Sequence, residues 1–149
     1  MKIGLLESVP ILSEKLKSER ILYPFGGKIV VENVRRSVRY DLILSDKKHF
    51  HQLPYQASVF LIPGASDSLA IPSRGILLTG GMSHSDSVSF SSIGEEEAML
   101  CVQREIHLRG HSIVPFEKKV RFNRNFSLYK NLATGFALSL AEILFTEEL

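Results

Sequence analysis

The sequence predicts a single α/β domain of Rossmann-like type, with a mixed sheet, a parallel centre, an antiparallel β extension and a C-terminal helix. Three observations predict it. Apolar runs at residues 41–44, 57–62 and 75–79 lack period-two alternation, as strands buried on both faces of a parallel sheet do. Residues 87–93 alternate in part, and with the runs at 98–106 and 111–120 they read as an antiparallel meander with one solvated face. Leu128, Leu132, Phe136 and Leu140 recur every four residues, and Ile143 and Leu144 extend that helical stripe. A chain of 149 residues suits one domain.

The elements follow in order. Residues 2–6 form a short apolar run and predict a strand. Residues 10–20 predict a helix, because Pro10 suits a first turn and Ile11, Leu12 and Leu16 share a face. Gly26-Gly27 marks a turn before a β-branched strand at 28–32. The three buried-type strands come next. After Gly80-Gly81 the pattern changes: Val88 and Phe90 fall on one side and serines on the other. Gly94 and Glu95 to Glu97 predict a turn, residues 98–106 a strand, Arg109-Gly110 a turn and residues 111–120 the last strand. Ser127 or Asn125 caps the closing helix, and Gly135 inside it predicts close packing on the sheet. The chain thus divides into an α/β centre at 1–86, an antiparallel extension at 87–122 and a helix at 127–146.

Composition narrows the function classes. Lys plus Arg number 18 against 16 Asp plus Glu, and a net charge of +2 gives no argument for nucleic acid. Cys101 is the one cysteine, so an internal disulfide and a Cys-rich zinc site are excluded. The acidic Glu7 arrives too early for a signal peptide, and no apolar window of about 18 residues spans a membrane. A cytoplasmic, bacterial-type location is the expectation, with no membrane partner.

The site expectation rests on the loops after three strands. Leu44 runs into Ser45-Asp46, Ile62 into Pro63-Gly64-Ala65-Ser66-Asp67, and Thr79 into Gly80-Gly81-Met82-Ser83-His84-Ser85-Asp86. If the strands are parallel, these loops share the carboxyl edge, where open α/β sheets bind ligands. Glycines admit a ligand to the backbone, serines donate and accept, and carboxylates accept from hydroxyls. The candidate ligand-binding residues are Asp46, Gly64, Ser66, Asp67, Gly80, Gly81, Ser83, His84 and Asp86. The same residue types also serve as ordinary turn formers. A sugar, nucleotide or phosphorylated molecule suits this mixture, and no cofactor is specified.

Other clusters are weaker. His49 and His51 alternate near a turn, and His107 and His111 flank Arg109-Gly110; neither pair predicts a metal site. Arg35, Arg36 and Arg39 form one basic cluster. Lys118, Lys119, Arg121 and Arg124, interleaved with phenylalanines, form another. The chain lacks a phosphate-loop motif, a Gly-x-Gly-x-x-Gly fingerprint and a Gly-x-Ser-x-Gly elbow.

Three resemblances are partial. Residues 40–46, Tyr-Asp-Leu-Ile-Leu-Ser-Asp, resemble the phosphoacceptor strand of receiver domains, which would make Asp46 the acceptor. The Met-Pro step and the late Lys-Pro of that family are absent. Gly75-Ile76-Leu77-Leu78-Thr79-Gly80-Gly81, followed by Ser87-Val88-Ser89-Phe90, resembles the distal part of the Mur ligase central domain. That resemblance implies a Rossmann-like sheet with a β appendage. The family's ATP-binding loop is missing, so no ligase activity is implied. Ser91-Ser92-Ile93 with Cys101-Val102-Gln103-Arg104-Glu105-Ile106 looks like small uncharacterised clostridial proteins.

The favoured function is a non-catalytic small polar-ligand-binding or regulatory module. One alternative is an enzyme using His84 with Asp67 or Asp86 as acid and base. Another is a homo-oligomeric interaction protein whose alternating strands form a dimer edge, with Phe90, Met99 and Leu100 covering it.

Overall fold

β1 (Lys2–Leu6) lies between β2 (Val30–Asn33) and β3 (Arg39–Ser45), parallel to both. β4 (Gln56–Pro63) and β5 (Ile76–Gly80) continue the parallel set beyond β3. The computed structural model describes residues 1–6, 15, 23–46, 55–64 and 75–146. β6 (Val88–Ile93) is also parallel to β5, but Gly80↔Val88 is their one registered pair. β6 therefore starts level with the end of β5 and runs on beyond the carboxyl edge. β7 (Glu97–Val102) pairs antiparallel with β6, and β10 (Phe116–Arg121) antiparallel with β7. The eight-stranded order is β10-β7-β6-β5-β4-β3-β1-β2. The expected parallel centre and antiparallel extension are both present.

The extension differs from the sequence expectation in detail. The strand expected over 98–106 ends at Val102, and the exposed polar run Gln103-Arg104-Glu105 turns the chain away. Ile106 opens a separate two-stranded sheet, β8 (Ile106–Leu108) with β9 (His111–Ile113). The strand expected over 111–120 is likewise split, at Val114-Pro115. Pro115 has no N–H for a ladder and suits a break. The strand expected over 28–32 shifts to Val30–Asn33, because Tyr23–Lys28 forms a 3-10 segment that takes in Gly26-Gly27. Of the helix expected over 10–20, only Lys15 is among the described residues; it is helical and buried.

The C-terminal helix, α1 (Leu128–Thr146), covers one sheet face. Ser127 caps it, its Oγ accepting the Lys130 N–H at 3.1 Å. Leu132, Phe136, Leu140 and Leu144 are buried in one core with Ile3, Leu5, Leu42, Leu44, Val59, Leu61 and Leu78. Gly135 meets the sheet as expected: a Cβ there would lie 3.0 Å from the Val120 side chain. The opposite face holds a second cluster of Tyr40, Ile43, Ala57 and Phe60.

That partition exposes an irregularity. In a regular strand residues two apart share a face. Yet Tyr40 packs away from Leu42, and Ala57 packs away from Val59. The alternation therefore breaks at Asp41 and Ser58, side by side in β3 and β4, while the pairs Tyr40↔Ala57 and Leu42↔Val59 keep register.

Candidate functional site at the carboxyl edge

The parallel strands all end on one edge of the sheet. The order reverses at β1, because the chain steps outward to β2 and then back across to β3. Ligands of open α/β sheets bind at such a switch point. Here it lies outside Leu6 of β1 and Ser45 of β3, which are paired in register. Asp46 follows directly, its N–H donating to the Leu6 carbonyl at 3.3 Å.

The start of α1 faces this edge. Lys130 Nζ lies 3.2 Å from Asp46 Oδ2, and both side chains are largely withdrawn from solvent, at 9% and 19% exposure. The Tyr129 hydroxyl donates to the Ser45 carbonyl at 2.5 Å and lies 3.2 Å from the Leu61 carbonyl. One phenol thus ties the helix to the ends of β3 and β4. Burial pushes the Tyr129 phenol well above its ordinary value, and the nearby Asp46 carboxylate pushes the same way.

Two glycines and one aspartate build the next part of the edge. Gly64 donates its N–H to the Gly80 carbonyl at 2.9 Å, and Gly81 donates to Val88 at 3.1 Å. Asp86 is buried against them: a Cβ on Gly64 would sit 2.0 Å from Asp86 Oδ1, and one on Gly81 would sit 2.5 Å from Oδ2. A side chain at either position would collide with the carboxylate. Asp86 Oδ2 also accepts the Ser83 N–H at 2.9 Å, while the Asp86 N–H donates to the Ser83 carbonyl at 3.0 Å. This closes a four-residue turn with His84 and Ser85 exposed at its tip.

The sequence-derived site residues therefore separate into groups. Gly64, Gly80, Gly81, Ser83 and Asp86 form one connected unit. Asp46 lies at the switch point with Lys130. His84 is exposed, and no hydrogen bond joins it to Asp86 among the described residues. Ser66 and Asp67 lie outside the described residues, as do His49 and His51. No group of three or more His, Cys, Asp or Glu that could hold a metal occurs among the described residues.

Tyr129 and Lys130 are not among the sequence-derived candidates, because an apolar helical stripe leaves adjacent polar positions looking solvated. The available signal was their place just after the Ser127 cap.

The two basic clusters do not merge. Arg39 lies on β3, whereas Lys118, Lys119 and Arg121 lie on β10, with β4 to β7 between. Lys118 is paired with Glu142, and Lys119 with Glu97 at 3.4 Å. Cys101 is half-buried within β7. No helix among the described residues is long and apolar enough to cross a membrane. Comparison with known proteins gives no match to a family model, a curated protein or a solved structure.

Proposed function

We propose that this chain is a non-catalytic module that binds a small polar, hydroxyl-bearing ligand at the carboxyl edge of its parallel sheet. The observation that carries the reading is the reversal of strand order at β1, with the Asp46–Lys130 pair seated beside it. A carboxylate accepts hydroxyl protons and an ammonium donates to oxygens, so the pair offers both halves of a sugar or nucleoside contact. Beyond it, β6 rises past the edge as one wall.

The enzymatic alternative receives less support. Asp86 is spent on its own turn and on filling the space over two glycines. The edge strand β10 carries Glu117, Lys118, Lys119 and Arg121, charges that guard an open edge against pairing, which does not favour a dimer through it.

A thermal-shift screen over sugars, nucleosides and nucleotides tests the proposal, since a ligand selective for the native state raises the melting temperature. A hit that is lost in Asp46→Asn supports the site. A hit of unchanged affinity in that variant removes it.

A further inference from the structure

A cleft lies at the opposite end of the strands from the carboxyl edge. It has a volume of about 600 Å³ and is lined by Arg39, Asp41, Ser58 and the β8–β9 hairpin from His107 to Ser112. Arg39 and Asp41 stand at the start of β3 and Ser58 near the start of β4. About 20 Å of strand therefore separates this cleft from the carboxyl edge.

Its construction is specific. The shared break in alternation at Asp41 and Ser58 brings both residues to the cleft. The facing hairpin closes on Arg109-Gly110, with φ of 51° and 78°. Two successive positive φ values fit a type I′ turn, which normally takes Asn-Gly. Arginine here accepts a conformation that asparagine would hold at less cost, and it puts a cation at the tip.

The lining charge is lopsided. The Arg39 and Arg109 side chains form no ion pair or hydrogen bond with a described residue. His107 and His111 add two imidazoles. The one lining carboxylate among the described residues, Asp41, has Oδ2 engaged by the Lys2 N–H at 2.7 Å. Ser112 connects Glu105, to which its hydroxyl donates, with His107, whose Nδ1 lies 3.4 Å from the same hydroxyl. That chain braces the imidazole at the cleft.

We propose that this cleft binds the phosphate group of a small phosphorylated molecule, at a site separate from the carboxyl edge. Guanidinium forks match phosphate oxygens two at a time, and two forks from different elements fix such a group in place. The volume suits a ligand of that size.

The test is a titration of the isotope-labelled chain with inorganic pyrophosphate at constant ionic strength, followed by backbone amide shifts. Saturable shifts at residues 107–112 and at Arg39 are expected. Arg39→Gln and Arg109→Asn should each weaken binding by about tenfold or more. Arg109→Asn suits the turn, so its effect reports the lost cation rather than a lost fold. Arg124→Gln, outside the cleft, should leave the affinity unchanged. The proposal is overturned if the hairpin amides stay still, if shifts are confined to the carboxyl edge, or if Arg124→Gln weakens binding as much as Arg39→Gln.

Discussion

The hydroxyl of Tyr129 and the carbonyl of Ser45 meet at 2.5 Å across 84 positions of sequence. The same hydroxyl reaches Leu61, so the first turn of α1 is fastened to two neighbouring strand ends. Tyr129→Phe keeps the ring and removes the donor. It should destabilise the fold by about 0.5–1.5 kcal/mol, the usual net worth of a hydrogen bond. Urea unfolding measures this, and a loss below a few tenths of that range contradicts the role.

Alkaline stability follows from the same residue. The folded phenol stays protonated above its unfolded value of about 10, so the unfolded state alone releases the proton there. The contribution is present below that pH and is lost as pH rises toward the raised folded value. The wild type should lose stability above about pH 10 more steeply than Tyr129→Phe. Parallel stability–pH curves for the two proteins would exclude it.

Gly64 and Asp86 are coupled through space. Gly64→Ala puts a methyl into the Asp86 carboxylate and should cost about 1–3 kcal/mol. In an Asp86→Ala background the same substitution should cost much less, because the obstacle is gone. Equal costs in both backgrounds would show that the contact does not decide the residue.

Ser127→Ala tests the cap of α1. The lost acceptor for the Lys130 N–H should destabilise by about 1 kcal/mol, read by thermal unfolding. A larger effect is expected on ligand affinity if the helix start positions Lys130. Unchanged stability would remove the capping role.

Much of the architecture was legible because it is local. Leu42-Ile43-Leu44 and the run from Val59 to Ile62 are continuous apolar stretches, and such stretches are buried on both faces. The stripe from Leu128 to Leu144 declares its helix by period alone. The reversal at β1 was not legible, since it depends on pairings between residues far apart, such as Leu5↔Leu44. Asp86 looked like a ligand because its residue type is ambiguous, and only the closeness of Gly64 and Gly81 shows what it fills. Lys130 was hidden because a lysine beside an apolar stripe ordinarily reaches water, whereas here Asp46 holds it.

The central claim is that the switch point beside Asp46 and Lys130 holds a ligand. Amide chemical-shift mapping with a sugar or nucleotide found by thermal-shift screening tests it most directly. The account predicts saturable shifts centred on Asp46, Gly64, Gly81 and Lys130, with binding lost in Asp46→Asn. A bound ligand that leaves those four amides unmoved would contradict it.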